Sequence, residues 1–483
     1  MVSIRTAAPA LLLILAGCVS GPDHKPPEMP LPAKFSEGGT KVNGDIAGSQ
    51  WWTAFGDSRL NAFAAQGLAQ NLNIQQSLEA INQAEAAVVT AGAGGLPSLT
   101  VSGDHTTSGQ KGSLRTQTET QNSTGGTASV SWLLDLWGQY RRAREGANAS
   151  LDAAYSSVDI ARLTYLQDLA TSYVNARYYQ ALVAIAQENL KSRRDTLSLT
   201  KFQLEAGAAS RLDVVQAEGL VNSTLSTIPG FEISYRQAVH HIATLLNVPS
   251  STIIAQMQGG GKQPVFRGSV RTGVPADLIR NRPDIRRAER QLAAATAEIG
   301  VAEAKLLPSI TLSGAISPSY IHTSARSGGL TSWSFGPSLN LPIFDGGALR
   351  AGVKSAESAS REQYIVWQQT VRSAIEDVEN NLSAVTRDAQ TVAALHAQVK
   401  SYQEALQLST ASYKDGASSL LDVLDAQRNV TAAQQSLAQA VQTSANDYIL
   451  LNVNIGAGYV PAGKTTVAEA PAKIVKVSAK KAN

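Results

Sequence analysis

The chain has 483 residues, long enough for two or more ordinary domains and a large buried core. Its 41 Lys+Arg against 38 Asp+Glu leave a net charge of +3, too balanced for a nucleic-acid binder. Charged residues make up 16%, where soluble domains run at about 25%, and the surplus of uncharged polar residues suits a protein that lines water or faces a membrane. A single cysteine excludes a disulfide framework and any cysteine-based zinc site.

Residues 1–17 read as a signal peptide. Arg5 supplies the positive end, and Ala7 to Leu15 form an apolar stretch of about nine residues, well short of the ~20 that a spanning helix needs. The stretch runs into Leu15-Ala16-Gly17-Cys18, which resembles the lipobox of bacterial lipoproteins. That resemblance implies cleavage before Cys18, diacylglycerol on its sulfur and an acyl chain on its amine. Val19 in place of an Asp implies sorting to the outer membrane. Residues 18–50 carry Pro22, Pro26, Pro27, Pro30 and Pro32 and read as an extended, lipidated tether.

An internal repeat sets the architecture. Leu96-Pro97-Ser98-Leu99-Thr100-Val101-Ser102-Gly103 recurs at Leu307-Pro308-Ser309-Ile310-Thr311-Leu312-Ser313-Gly314, and Gly207 to Val214 recurs at Gly416 to Val423. The first repeat spans 51–255 and the second 275–460, with a linker at 256–274 and a basic tail over 461–483. Proline is absent between Pro97 and Pro229 and between Pro342 and Pro461. Within those windows 138–206 and 347–415 read as single helices, each about 100 Å long at ~1.5 Å per residue. A second helix follows each turn, giving long hairpins over about 138–246 and 347–455.

Four stretches alternate with period two, at about 97–107, 125–136, 308–318 and 331–343. In the last, Trp333, Phe335, Pro337, Leu339 and Leu341 form one face, and Ser332, Ser334, Gly336, Ser338 and Asn340 the other. This pattern matches a transmembrane barrel strand, against the alternative of a half-buried sheet in a soluble domain. Four strands cannot close a barrel, so the chain must oligomerise. Two copies supply eight strands and three supply twelve, enough to leave a channel.

The chain thereby resembles the TolC/OprM-like outer membrane factors, and its lipobox resembles that of the lipidated, NodT-like subgroup. The likeness rests on Trp51-Trp52 with Phe55-Gly56-Asp57, Ser131-Trp132 with Asp135-Leu136-Trp137-Gly138, Arg282-Pro283-Asp284-Ile285, Pro342-Ile343-Phe344-Asp345-Gly346-Gly347 and Asp422-Val423-Leu424-Asp425-Ala426-Gln427. It implies an α+β membrane protein: a homotrimer with a 12-stranded outer-membrane β-barrel continuous with a long α-helical periplasmic barrel. A mixed region near 51–70, 250–275 and the C-terminal end is implied to girdle the helices. The implied function is the exit duct of a tripartite efflux pump, with a periplasmic adaptor and an inner-membrane pump of the resistance-nodulation-division (RND) type as partners. Protein secretion of type I is the alternative within that class, and a trimeric surface adhesin or stalk the alternative outside it.

By the same resemblance Asp422 and Asp425 match the family's constricting acids at the periplasmic gate, and Asp213 and Tyr413 its interhelical hydrogen-bonding partners. Ser418 stands where one well-known member has Arg. The turns at Gly207-Ala208 and Gly416-Ala417 are the implied adaptor contacts. Ser210-x-x-Asp213 and Ser419-x-x-Asp422 are also capping boxes, which give Asp213 and Asp422 a structural reason of their own. Asp425 has Gln216 as its counterpart in the first repeat. Gly458 to Thr465 fits the P-loop letters, but Pro461 lies inside it and no helical pattern follows. His240-His241 read as packing or surface residues. No catalytic constellation, cofactor or metal site is expected, and the only attached group is the lipid on Cys18.

Overall fold

The computed structural model describes residues 19–37, 48–112, 115–267 and 273–462, so Cys18 and the Lys464 end of the P-loop-like stretch lie outside the described residues. The fold divides into two compact units. The first gathers residues up to Glu28 with Ala80–Ala154 and Arg287–Gln368, and the second holds Met29–Glu79, Tyr155–Arg286 and the residues from Gln369 onward.

The first unit holds one antiparallel sheet in the order β1 (Ser98–Gly112), β2 (Arg115–Leu134), β3 (Ser309–Thr323), β4 (Ser327–Asn340). Its register sets Leu99 opposite Val130, Val130 opposite Gly314 and Gly314 opposite Phe335. Trp132 faces Leu312, and Ile316 faces Trp333. The alternating apolar residues of all four strands therefore share one face. Among the described residues nothing covers it: Leu99 is 73% exposed, Trp333 72% and Phe335 70%.

The strands outrun the apolar pattern. β1 continues through Asp104, His105, Thr106 and Gln110, and β2 begins at Arg115. Backbone pairing carries the ladder on where the side chains turn polar on both faces, and periodicity of hydrophobicity cannot register that extension. β4 stops at Asn340, ahead of Pro342, which has no N–H to give a ladder.

The repeat is visible as duplicated elements. Helix α2 (Leu72–Ala93) and helix α7 (Pro283–Ala304) have 22 residues each. Helix α3 (Gln139–Glu205) and helix α8 (Ala348–Lys414) have 67 each. Helix α4 (Arg211–Leu245) and helix α9 (Leu420–Asn454) have 35 each. Helix α4 runs through Pro229, which is exposed, so the one missing N–H is tolerated on the solvent side. Among the described residues no helix is long and apolar enough to cross a membrane.

The same aspartate starts both long helices. Asp135 accepts from the N–H of Tyr140 and of Arg141, each at 3.1 Å. Asp345 accepts from Gly347 at 2.9 Å and Leu349 at 2.6 Å, and these N–H groups hold its carboxyl below the ordinary range. The Asp-Leu-Trp-Gly and Phe-Asp-Gly-Gly motifs are thus helix starts.

Residues 19–37 have no regular structure, yet they are held as a strap. Ser20 N–H donates to the Trp137 carbonyl at 2.9 Å. The buried Arg142 donates to the carbonyls of Ser20 and Gly21, both at 3.0 Å, and pairs with Asp23 and Glu145 at 2.7 Å. Gly300 of α7 lies so close that a Cβ there would stand 2.5 Å from the Ser20 carbonyl. His24 Nε2 closes on Glu289 Oε1 at 2.6 Å.

The second unit also contains helix α1 (Ser58–Gln70), helix α5 (Ser250–Met257) and helix α6 (Pro275–Asn281). Its short elements share an aromatic centre: Trp51 and Phe55 meet Tyr448 edge-on, and Phe266 stacks on Tyr448 at 4.4 Å. Trp51 Nε1 donates to the Ala457 carbonyl at 3.1 Å. Buried Asp159 gathers Arg286 at 3.0 Å, Arg162 at 3.3 Å and the Ala462 N–H at 2.8 Å, which ties the segment after α9 to α3. Burial still holds its carboxyl above the ordinary range. Phe35 is fully buried here, and Ser36 N–H donates to Glu379 at 2.7 Å.

Replacing Arg142 by Ala removes the strap's main clamp and leaves Asp23 alone. The expected loss is about 2 kcal/mol of strap docking, roughly a thirtyfold shift. Limited proteolysis should cut residues 20–28 at correspondingly lower protease while the sheet and long helices stay protected.

Candidate functional site

The helix turns at the ends of α3 and α8 have the same construction. Gly207 and Gly416 take φ of +75° and +72°, a conformation that L side chains rarely adopt. Gly207 N–H returns to Leu204 O at 3.0 Å and Ala208 N–H to Gln203 O at 2.8 Å. Gly416 N–H returns to Tyr413 O at 3.2 Å and Ala417 N–H to Ser412 O at 2.8 Å. Both helices therefore close in a Schellman motif, and both glycines have open space where a side chain would stand.

Each following helix begins on its capping acid. Asp213 Oδ2 accepts from Ser210 N at 2.8 Å and Ser210 Oγ at 2.7 Å, while Ser210 Oγ accepts from Asp213 N at 3.2 Å. Asp422 Oδ2 accepts from Ser419 N at 3.1 Å and Ser419 Oγ at 2.9 Å. Asp422 and Asp425 are both exposed and lie on the side of α9 away from its buried row, Leu420, Val423, Leu424 and Gln427. Asp425 has no capping role; its partners are Asn429 Nδ2 at 3.2 Å and Arg428 at 3.9 Å.

Tyr413 is buried against Leu420, Val423 and Leu424, with Leu199, Leu220 and Leu406 around them. Its hydroxyl meets Thr200 Oγ1 of α3 at 3.3 Å. Tyr413 is thus an interhelical partner, but of Thr200; the hydrogen bonds of Asp213 stay within its own cap. Ser418 Oγ donates to the Ser409 carbonyl at 3.4 Å and so helps close α8.

Two groups near the turns escape sequence reasoning. Arg193 of α3 is only 7% exposed and, among the described residues, has no carboxylate in contact. It donates to the Leu220 carbonyl at 3.2 Å, to Thr224 Oγ1 and to Thr431 Oγ1 at 3.3 Å, tying α3 to α4 and α9. Its Nε finds no acceptor, and burial together with the nearby Arg428 charge pulls its pKa down. Nothing in the heptad around Arg193 marks it as buried. Asp388 of α8 is the second: burial and the adjoining Asp447 of α9 push its carboxyl up to about 6.

His240 and His241 are exposed; burial holds the Asp168 carboxyl above the ordinary range, and the nearby His241 offsets this only in part. Gly458 packs on Trp51 and Leu166, so the P-loop-like stretch begins as part of the core. Among the described residues no group of three ligating side chains could hold a metal ion.

A family model described as "Outer membrane efflux protein" matches residues 64–248 and 274–457, the two repeats. The chain belongs to the outer membrane efflux proteins. It is 56% identical over 461 residues to "Nodulation protein T" of Rhizobium leguminosarum bv. trifolii, covering 95% of this chain and 98% of that one. It is 27% identical over 469 residues to "Probable outer membrane lipoprotein SilC" of Salmonella typhimurium, covering 95% and 100%. Among solved structures it is similar to the outer-membrane channel OprN, with a TM-score of 0.80, 28% identity, and coverage of 91% of this chain and 99% of that one. The efflux protein therefore has the outer-membrane channel fold and belongs with non-enzymatic exporters.

The Asp388–Asp447 contact predicts a pH dependence. A carboxyl whose pKa rises on folding stabilises the fold below its unfolded value near 3.9, and that contribution is lost as pH rises through about 6. Asp388→Asn should flatten the thermal-stability profile between pH 4 and 7 and raise the midpoint at pH 7.5, as differential scanning calorimetry would record.

Proposed function

We propose that the protein is the outer-membrane exit duct of a tripartite efflux pump, a passive homotrimeric channel that carries small molecules from periplasm to outside. The observation that carries this is the sheet: among the described residues it has four strands, one shared apolar face and no strand partner beyond β1 or β4. An open sheet edge in lipid leaves backbone groups unsatisfied at several kcal/mol each. Three copies supply twelve strands and remove the edges while leaving a water-filled lumen.

In that trimer Asp422 and Asp425 form two rings of three carboxylates that constrict the tunnel and favour cations. Tyr413, Thr200 and the Asp213 cap hold the neighbouring turns. Gly207-Ala208 and Gly416-Ala417 present the contact surface for a periplasmic adaptor, through which an inner-membrane pump of RND type selects the cargo. Cys18 carries the lipid; a relative named as a probable outer membrane lipoprotein supports that assignment. The name "Nodulation protein T" of a relative fits export of a small molecule made by the cell.

Planar-bilayer conductance tests the gate. The wild type should conduct weakly, and an Asp422→Ala/Asp425→Ala protein severalfold more, with reduced cation preference. Equal conductances would move the constriction elsewhere, and no conductance from either would remove the channel reading. For the adaptor contact, Gly207→Leu and Gly416→Leu should each strain the turn by about 1–2 kcal/mol. Both should abolish efflux in cells while the trimer still forms on native gels. Efflux that survives both changes would overturn that contact.

A further inference from the structure

In the first unit, a groove of about 480 Å³ lies between the last turns of α2 and the first turns of α3. That size is typical of small-ligand sites. Its floor is apolar, from Val88, Val89, Ala93 and Leu96, and its mouth carries Arg141 and Arg144. Val89 is 73% exposed and Leu96 66%, so the chain itself leaves this floor open.

The groove continues the apolar face of the sheet. Trp132, which belongs to that face, donates its indole N–H to the carbonyl of Gly95 at 2.9 Å, and Gly95 lines the groove. The stem of Arg144 lies along Gly92, where a Cβ would stand 3.4 Å from its Cδ, so the side chain is laid across α2. Arg141 is held beside it by the carbonyls of Asp135 at 3.1 Å and Leu136 at 3.5 Å, with Asp135 Oδ2 at 3.5 Å from its Nε. That carboxylate is already engaged in starting α3. Two guanidinium groups against one capped carboxylate leave the mouth positive, and guanidinium groups match phosphate oxygens with paired donors.

We propose that the groove seats an anionic glycerophospholipid of the leaflet next to the helical end of the sheet. Its phosphate lies between Arg141 and Arg144, and an acyl chain lies on Val88, Val89 and Leu96. The site rests on the channel reading, which puts the apolar sheet face in lipid. A long apolar floor reached from that face, with cations at the level where the strands become helices, fits an amphipathic occupant with its charge at the water boundary.

The full-length protein, purified in detergent, is titrated with phosphatidylglycerol and, separately, with phosphatidylcholine, and bound lipid is counted by native mass spectrometry. Wild type should retain phosphatidylglycerol through activation that strips phosphatidylcholine. Arg141→Gln/Arg144→Gln should weaken retention at least tenfold. Arg144→Gln alone, which spares the Asp135 contacts, should weaken it severalfold. Val89→Trp, which fills the groove and keeps both charges, should do the same. Equal retention by wild type and all three variants would overturn the site and leave the channel standing. Replacing Val89 by p-benzoylphenylalanine gives a second readout: irradiation in membranes should yield lipid adducts, whereas chain-to-chain adducts would assign the groove to a second copy and overturn the proposal. Absence of pores from the same wild-type preparation in planar bilayers would remove the channel reading, and the site would fall with it.

Discussion

Backbone hydrogen bonding in a medium without water is the constraint on which the rest depends. The efflux protein presents a sheet whose apolar face is bare and whose outer strands, β1 and β4, have no strand beyond them. Water could satisfy those edges; hydrocarbon cannot. The composition points the same way, since the face opposite the apolar one is built of Ser, Thr, Asn and Gly and wants water. A surface that needs lipid on one side and water on the other, with edges that hydrocarbon cannot satisfy, is complete only when copies of the chain close it.

The duplication shows which features are architectural and which are not. Helices of 22, 67 and 35 residues recur in each half at matching lengths. The glycine turns and capping acids recur with them, as Gly207 with Gly416 and Asp213 with Asp422. What fails to recur is more telling. The position of Asp425 is Gln216 in the first half, that of Tyr413 is Leu204, that of Arg428 is Gly219, and that of Arg193 is Tyr402. Parts needed to start and stop a helix are kept in both copies, whereas these side chains are each found in one copy only, Arg193 in the first and Tyr413, Asp425 and Arg428 in the second. An asymmetry confined to side chains on a symmetric frame is what a specialised end of a duct requires.

Much of this was legible in the sequence because it is local. Proline spacing bounded the long helices, Gly207 and Gly416 marked their ends, and period-two runs marked the sheet face. The features that were not legible depend on partners remote in the chain. Strand extension through Asp104 to Gly112 follows from pairing with β2, which hydrophobic alternation does not encode. The proline-rich stretch looked like a tether because the contact of Arg142 with Asp23 joins residues 119 apart in the chain. Tyr413 was identified as an interhelical partner through a resemblance, but which hydroxyl it meets, Thr200 and not a side chain of Asp213, follows from the rotation of α3 against α8 and leaves no mark in the sequence.

Arg193 shows how the candidate gate can be both closed and movable. A buried cation without a carboxylate carries a desolvation cost that Thr224, Thr431 and one carbonyl offset only in part, since Nε has no acceptor. The cluster of Tyr413, Leu420, Val423 and Leu424 pulls the other way, because separating α9 from its neighbours exposes apolar surface at ~25 cal/mol per Å². Moving α9 outward would take Thr431 from Arg193 and admit water to the guanidinium, so the polar layer favours the separation that the apolar layer resists. Asp422 and Asp425, exposed and alike in charge, add a repulsion across the proposed trimer axis with the same sign as Arg193. On the proposed gate reading, packing and these two electrostatic costs act on α9 in opposite directions. On the proposed adaptor reading, a partner binding at Gly207 or Gly416 shifts α9 only by its differential affinity for the two positions.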